Sequence, residues 1–206
     1  REREDEKGNK VQKKVILFGL GAIKGVGDSA IDSIIEARSE HEVFGSIYGF
    51  CEKVDSRKVN RKVLEALVKG GAFDQMGKPR AQLFAVVDKA LEAGQSTQKD
   101  LASGQTSLFG AFAAAASAKT GESVNSTVTE WYPKDVEWSE KQTLRLEKES
   151  LGFYISGHPL DSYAKDLGWL ASNNTSTLAE AAQGKGRFNQ ITIAGVIGSM
   201  RDRPLK

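Results

Sequence analysis

The sequence predicts a mainly α-helical protein, and three observations support that fold class. Four short segments between residues 28 and 93 repeat apolar residues at helical spacing. Breaker and turn residues separate these segments from one another. After residue 93 the composition changes to small and polar residues, and a further charged helix follows at about residues 137–151. We therefore expect a bundle of short helices, a flexible linker and one more helix.

The predicted elements of the bundle follow one another from the N-terminus. Residues 1–14 are charged and are expected to be flexible, while residues 15–18 are predicted to form a short strand or an extended entry. Asp28 or Ser29 is placed to cap the first helix. The apolar positions of the four helices are Ile31, Ile34 and Ile35; Phe44, Ile47, Cys51 and Val54; Val59, Val63, Leu64, Leu67 and Val68; and Leu83, Val87, Ala90 and Leu91. The helical domain is thus predicted over residues 15–93.

The second half of the chain is predicted to be less compact. Residues 94–136 form the predicted linker, and residues 137–188 form a helix and a polar connector. Apolar residues alternate over residues 191–197, which predicts a strand. Because one strand cannot bury its own faces, residues 189–206 are expected to be the start of a β domain that the chain does not complete.

Several function classes are disfavoured by the composition. The single cysteine Cys51, with His41 and His158, provides too few soft ligands for a zinc site, so we expect no metal and no cofactor. No apolar run reaches the roughly 18 residues that span a membrane, and we expect a cytoplasmic protein without membrane contact. There is no nucleophile and base pairing, no phosphate-binding loop and no closely spaced carboxylate set for two Mg²⁺ ions. The segment itself is therefore expected to be non-catalytic.

A glycine-containing turn before the first helix has the layout of a helix-hairpin-helix motif. Gly25 and Gly27 flank the apolar Val26, Lys24 precedes them, and the helix follows at once. Glycines let the backbone come close to a ligand, and the N–H groups of the turn and of the helix N-terminus can donate to a phosphate oxygen. Such contacts hold the DNA backbone without reading base sequence. The alternative is a tight turn between two helices.

A second hairpin is predicted between the third and fourth helices, at Lys69, Gly70 and Gly71. It departs from the glycine-apolar-glycine order, and local charge is what favours it. Residues 57–80 contain seven basic side chains against two acidic ones. The predicted DNA contacts in this region are Arg57, Lys58, Arg61 and Lys62, together with the hairpin itself. The alternative is a solvated basic helix face.

A short motif in the predicted linker has the properties of a peptide ligand. Leu108 and Phe109 are adjacent large apolar residues in a segment that offers nothing to bury them, and Gln105 adds an amide donor and acceptor. These three residues are predicted to enter an apolar pocket on a partner protein. The alternative is that Leu108 and Phe109 fold back onto the helical domain.

Several stretches, in their order along the chain, resemble the bacterial DNA polymerase III alpha subunit family. They are FGLGAIKGVGDSAIDSIIEAR, SRKVNRKVLEALVKGGAFD, GQTSLFG, LEKESLGFYISGHPLD and ITIAGVIGSMR. The resemblance implies a C-terminal part of that subunit, with a tandem helix-hairpin-helix domain on duplex DNA and an OB domain beginning near Gln190. It also implies that Gln105, Leu108 and Phe109 bind the sliding clamp, the beta subunit, and that the remaining replicase subunits are partners of the parent chain.

The resemblance places polymerase activity outside this segment, because the catalytic aspartates of the family lie upstream of it. Two other hypotheses remain open from the residues. The first is a helical module that docks another replication or repair protein without touching DNA. The second is a repair nuclease or ligase with similar hairpins, which the missing catalytic residues disfavour.

Overall fold

The computed structural model describes residues 2–4, 10–12, 18–41, 43–103, 130–171, 173–174, 177–178, 192–198 and 200–202. The chain divides into two compact units, Arg1–Phe153 and Tyr154–Lys206. Among the described residues, no helix combines the length and apolar character that crossing a membrane requires.

The first unit contains six of the seven α-helices with described bounds. They are α1 Asp28–Glu40, α2 Ile47–Lys53, α3 Arg61–Lys69, α4 Arg80–Ala85, α5 Val87–Ala102 and α6 Glu140–Leu151. Short 3-10 helices precede two of them, Leu20–Ala22 before α1 and Asp74–Met76 before α4. The predicted mainly α-helical class is confirmed for this unit.

The core of the first unit lies between α2 and α5, and α3 packs against α4, α5 and α6. Ile47, Leu64 and Leu83 are fully buried, and burying a side chain of this size contributes about 1.5 to 3 kcal/mol. The two central helices come very close at Gly94, where an added methyl group would collide with the backbone of Cys51. Glycine at this position therefore serves helix packing.

Helix α5 continues to Ala102, which corrects the predicted end of the helical domain at residue 93. The Gln98 side-chain amide donates to the carbonyl oxygens of Cys51, Glu52 and Val54 at 3.3, 3.2 and 2.6 Å. These bonds satisfy the last carbonyl groups of α2, which have no partner inside their own helix. Residues 94–103, predicted as linker, are thus part of the helical unit.

Residues 130–153 also belong to the helical unit, whereas the sequence predicted a linker to residue 136 and then a separate helix. The Tyr48 hydroxyl donates to the Trp131 carbonyl at 3.0 Å. The ring of Trp138 lies 5.5 Å from that of Phe84. Helix α6 then packs against α3. These contacts join residues far apart in the chain, which local periodicity does not reveal.

The N-terminal segment contains two short antiparallel strands, β1 Glu2–Glu4 and β2 Lys10–Gln12, with Glu2 opposite Gln12. The sequence predicted a flexible segment over residues 1–14, and the structure pairs part of it. Of the strand or extended entry predicted at residues 15–18, only Phe18 lies within the described residues, and it is not in a strand.

The second unit contains α7, Ala164–Leu170, preceded by a 3-10 turn at Asp161–Tyr163. Residues 192–198 have no regular secondary structure, although a strand was predicted at residues 191–197. A strand is stabilised by pairing with a neighbouring strand. The described residues of this unit contain no strand that residues 192–198 could pair with. The OB-type domain stays a prediction.

Candidate nucleic-acid interface

The first hairpin, residues 23–27, connects the 3-10 turn at Leu20–Ala22 to α1. Ile23 and Val26 anchor it in the core, with exposed fractions of 5% and 8%. The Val26 N–H donates to the Ile23 carbonyl at 3.1 Å and closes the turn. Between these anchors Lys24 and Gly25 are exposed. The apolar side chains hold the turn from inside and leave Lys24 and Gly25 at the surface, while the Lys24 N–H is bonded to the Ser150 carbonyl of α6 at 2.7 Å.

The two glycines of the first hairpin face open space. A Cβ atom added at Gly25 or at Gly27 would meet no described atom within 4 Å. Gly25 has φ 87°, a conformation that favours glycine. Gly27 has φ −86° and ψ 165°, which any residue adopts. Neither its backbone conformation nor its packing against described residues requires glycine at position 27.

Helix α1 begins without a side-chain cap, unlike three other helices of this unit. The caps of α2, α3 and α6 are Ser46, Asn60 and Ser139, and each accepts a bond from the N–H group three residues later. In α1 the cap position is Gly27, and no side chain caps it. The predicted caps Asp28 and Ser29 are wrong, because both residues are already helical. This helix N-terminus can therefore offer N–H groups to an external acceptor.

The glycines of the second hairpin, residues 69–73, are enclosed by the protein. A Cβ atom at Gly70 would lie 3.2 Å from both the Ala66 carbonyl oxygen and the Cδ1 atom of Ile23. Gly71 has φ 79°, and a Cβ atom there would collide with the side chains of Arg80 and Asp74. Internal packing accounts for both glycines, so the second hairpin does not present its backbone as the first one does.

Lys69, the basic residue of the second hairpin, is also occupied. Its side chain is 18% exposed and pairs with the Glu149 carboxylate at 3.1 Å. Its ammonium lies 5.7 Å from the centre of the Phe84 ring, within the range of a cation–π contact. A phosphate group would have to compete with both contacts.

A buried ion-pair network lies behind the second hairpin. The Arg80 guanidinium donates to both Asp74 carboxylate oxygens at 2.7 and 2.6 Å and to Glu147 at 3.1 Å. Hydrogen bonds to Asp74, the largest cause, raise the pKa of Arg80 above its usual value. Because Arg80 is 12% exposed and Glu147 is fully buried, these two charges pair with each other inside the protein and are shielded from a ligand in solvent.

Glu147 was not among the residues predicted to matter, and Arg80 was counted only in the positive charge of residues 57–80. A signal for Glu147 exists in the sequence: it stands three residues after Leu144 and four before Leu151, on the buried face of α6. A charged residue inside an apolar helical stripe indicates a buried partner. The sequence does not show that this partner is Arg80, 67 residues earlier.

The two hairpins touch each other. The contact is between the Ile23 side chain and Gly70. Helix α6 connects to the first hairpin through the Lys24 N–H, which donates to the Ser150 carbonyl at 2.7 Å. The structure therefore brings the predicted residues Lys24, Gly25 and Gly27 into one assembly with Lys69, Gly70 and Gly71.

The predicted basic residues lie in the turn before α3 and in its first turn. They are here called the basic patch and are Arg57, Lys58, Arg61 and Lys62. The second hairpin lies at the end of α3, and the rise from Arg61 to Lys69 is about 12 Å at 1.5 Å per residue. Lys58 and Lys62 are exposed. The structure thus places the basic patch and the second hairpin at opposite ends of one helix.

The two arginines of the basic patch are neutralised in part by neighbouring carboxylates. The Arg57 side chain makes two bonds to Asp55, both at 3.1 Å, and these bonds are the largest cause that lowers the pKa of Asp55. Arg61 pairs with Glu65 at 2.8 Å and with Asp88 at 3.3 Å. All these groups are near the surface, where such pairs contribute little and can rearrange.

An acidic face runs along α1 from the first hairpin. Its residues are Asp28, Asp32, Glu36 and Glu40, spaced four apart and all exposed. The far end of this face borders an open groove of about 800 Å³ between α1 and α5, which is lined by both acidic and basic side chains. Like charges on one helix face repel one another and would also repel a phosphate backbone.

The motif Gln105, Leu108 and Phe109 lies outside the residues that the structure describes. Within the described part of the chain, no group of three or more His, Cys, Asp or Glu side chains could hold a metal ion.

Comparison with known protein families gives the class of this fold. A family model described as helix-hairpin-helix motif matches residues 4–83, a range that contains both hairpins. This part of the first unit therefore contains a helix-hairpin-helix motif.

Similarity to whole proteins identifies the family more narrowly. The chain is 37% identical to the DNA polymerase III subunit alpha of Vibrio cholerae, 37% to that of Haemophilus influenzae and 35% to that of Escherichia coli K12. Each comparison covers 90% of this chain and 15% of the relative. The chain belongs to the DNA polymerase III alpha subunit family and spans about 15% of the length of these relatives.

Proposed function

We propose that this chain is a non-catalytic part of a bacterial replicative DNA polymerase and that its first hairpin holds duplex DNA by the phosphate backbone. The observation that carries the proposal is the open, uncapped turn at Gly25 and Gly27 before α1. A glycine that neither strain nor packing requires is expected where an outside group comes close to the backbone. In this proposal polymerase activity belongs to a parent chain.

The chemistry of the first hairpin suits a phosphate oxygen. Backbone N–H groups at the N-terminus of the 13-residue helix α1 donate to it, and the helix dipole favours its negative charge. The exposed Lys24 adds a positive side chain beside the turn. Asp28 opposes binding because its carboxylate follows the turn directly. The affinity of this hairpin alone is therefore expected to be low, and contact without base recognition is expected.

The basic patch supplies the sequence-independent attraction in this proposal. Lys58 and Lys62 are exposed at the start of α3, and the surface pairs of Arg57 and Arg61 can exchange a carboxylate for a phosphate. The acidic face of α1 repels DNA, so the duplex is expected to meet the first hairpin from the side away from that face.

A second part of the proposal is a tether to the sliding clamp through Gln105, Leu108 and Phe109. Full burial of two large apolar side chains contributes about 3 to 6 kcal/mol, offset by about 2 to 5 kcal/mol for ordering the segment. The net affinity is expected to be weak until polymerase and clamp share one DNA molecule. Calorimetric titration of purified clamp tests it: L108A/F109A should abolish binding, and retained binding would remove this assignment.

DNA contact at the first hairpin is tested by Gly27→Leu in fluorescence anisotropy with a labelled duplex. The substitution introduces no backbone strain and meets open space, so the fold should persist, while the new side chain blocks close approach of a phosphate. We expect at least a tenfold loss of affinity, or about 1.4 kcal/mol. Gly168→Leu, also in open space but in α7, is the matched control and should bind as the original chain does.

The alternative function, a helical module that docks another protein, has one observation in its favour. The open groove beside α1 and α5 carries mixed charge and could receive a peptide. Salt dependence separates the two functions, because the logarithm of DNA affinity falls with the logarithm of salt concentration with a slope of about −0.9 per phosphate contact. A chain that shows no salt-dependent duplex binding contradicts the DNA proposal and leaves the docking function.

A further inference from the structure

The last turns of α6 reach both hairpins. The Ser150 carbonyl accepts the Lys24 N–H of the first hairpin at 2.7 Å. The Glu149 carboxylate pairs with Lys69 of the second hairpin at 3.1 Å. The Glu147 carboxylate accepts from Arg80, behind the second hairpin, at 3.1 Å. Residues 147–150 of α6, here called the brace, therefore contact both hairpins at once.

Glu147 is the most deeply buried of these connections. It is fully buried, and its partner Arg80 is 12% exposed, so solvent screens their attraction only weakly. Arg80 is itself fixed by two bonds to Asp74 and by a bond to the Lys69 carbonyl at 3.2 Å. A buried carboxylate is stable only where such a partner meets it. The pair thus fixes the position of α6 on the second hairpin.

One direct contact between the hairpins is the Ile23 side chain against Gly70. An apolar contact of this kind does not fix a direction, whereas the brace adds directional bonds on both sides. The buried Leu151 follows the brace and anchors the end of α6 in the core.

We propose that α6 holds the two hairpins in one fixed arrangement and that Glu147 is a positioning residue for duplex binding, acting through Arg80 and without touching DNA. The dependence of DNA binding on Glu147 rests on the proposed function, whereas the mechanical role of the brace does not. The first hairpin and the basic patch, which α3 joins to the second hairpin, then lie on one rigid frame. They act together because binding at one raises the effective concentration of phosphate at the other. If the brace no longer fixes this arrangement, the increase in effective concentration is lost.

The mechanical role is tested by hydrogen exchange of the Lys24 amide in the full chain. Glu147→Gln keeps the shape of the side chain and removes its charge. We expect exchange of the Lys24 amide at least about tenfold faster, with the Leu64 amide in α3 unchanged. Glu140→Gln, the same chemical change at an exposed position of α6, is the matched control and should change neither amide. Unchanged exchange at Lys24 in Glu147→Gln overturns the assignment of Glu147.

The role in DNA binding is tested by anisotropy titrations at several salt concentrations. Glu147→Gln should lower duplex affinity at least about tenfold and reduce the salt slope by about 0.9 for each phosphate group that the variant no longer binds. A general loss of stability would not change that slope while the chain remains folded. Faster exchange at Lys24 with unchanged affinity and slope would show that DNA binding does not need the brace.

A second variant keeps the test decisive if Glu147→Gln does not fold. R80M/E147L replaces the buried pair by apolar side chains of similar size, a change that is often neutral for stability. We expect protected Lys24 exchange and restored duplex affinity in this double variant. Protected exchange without DNA binding would mean that the pair contacts DNA itself and would overturn the positioning role. If the original chain binds no duplex, the proposed function fails, and exchange at Lys24 alone decides the mechanical role.

Discussion

The two hairpins have similar residues, but the protein uses their glycines differently. Gly25 and Gly27 of the first hairpin face open space, whereas Gly70 and Gly71 of the second are enclosed by Ile23, Arg80 and Asp74. Glycine is needed in the second hairpin to let parts of the same chain come together. In the first hairpin no described atom fills the corresponding space, which leaves room for an approaching ligand. A glycine pair indicates a binding site only where the fold leaves its surroundings vacant.

The lysines of the two hairpins differ in the same way. Lys24 is exposed beside the first turn, and Lys69 is mostly buried against Phe84 and Glu149. In the sequence, the glycine motif favoured the first position and the local positive charge favoured the second. The structure assigns the second hairpin to internal stabilisation and leaves the first with the groups that a phosphate would meet.

The largest predicted effect is a loss of stability, and it follows if the second hairpin is chiefly structural. Arg80→Ala leaves the buried Glu147 carboxylate without this partner, and breaking such a pair costs about 3 to 5 kcal/mol. Urea unfolding followed by circular dichroism measures the loss. Arg38→Ala, on the exposed side of α1, is the control and should change the free energy of unfolding by less than about 0.5 kcal/mol.

Thiol labelling gives an independent measure for the same pair of variants. Burial raises the pKa of the Cys51 thiol to about 12, so at pH 8 the folded chain should resist labelling. Arg80→Ala should accelerate labelling of Cys51 by raising the population of unfolded molecules, and Arg38→Ala should not. Equal labelling rates in the two variants would contradict a structural role for Arg80.

A smaller difference is expected between alanine substitutions at the two glycines with positive φ. Gly71→Ala forces a strained backbone and a collision with Arg80 and Asp74, so it should cost about 2 to 3 kcal/mol. Gly25→Ala has the strain alone and should cost about 1 kcal/mol. Urea unfolding compares the two directly. Equal losses would show that the enclosure of Gly71 has no energetic consequence.

The sequence predicts those elements whose signals are local. The first hairpin is recognisable because Gly25, Val26 and Gly27 stand immediately before an amphipathic helix. Helices α1 to α3 are recognisable from apolar residues three and four apart. In each case the residues that decide the structure lie within a few positions of one another.

The features that escaped prediction depend on contacts between distant residues. Gly94 looked like the start of a linker, but it is the point where α5 meets α2. The docking of α6 depends on Arg80 and Glu147, and no local pattern links these two positions. The occupied state of Lys69 depends on Glu149, 80 residues later. Composition and periodicity contain no information about such pairs.

A prediction of intermediate size concerns the basic patch and asks whether DNA follows α3 away from the hairpins. K58E/K62E reverses two exposed charges at the start of α3 without removing a described interaction of the core. We expect about tenfold weaker duplex binding at low salt, with the same loss for different base sequences, and a salt slope reduced by about 0.9 for each phosphate group released. Anisotropy with two unrelated duplexes measures this. Unchanged affinity would place the DNA away from this end of α3.

The smallest predicted effect concerns Asp55, which holds Arg57 at the edge of the basic patch. The pKa of this carboxyl is lowered chiefly by hydrogen bonds from the Arg57 side chain. Its stabilising contribution is therefore present above the ordinary aspartate pKa near 4 and is lost as the pH falls through the lower value of the folded state. Because the pair is exposed at Arg57, Asp55→Asn should change the free energy of unfolding at pH 7 only slightly.

The same substitution should strengthen DNA binding. Asp55→Asn removes one negative charge and releases Arg57, so duplex affinity at low salt should rise about two- to threefold and the salt slope should become steeper. Glu36→Gln, which removes a charge from the acidic face of α1, is the matched control: a smaller rise there would show that the released arginine matters beyond net charge. A fall in affinity in Asp55→Asn would mean that the Asp55 pair orients Arg57 for phosphate, and the ion pair would then belong to the interface.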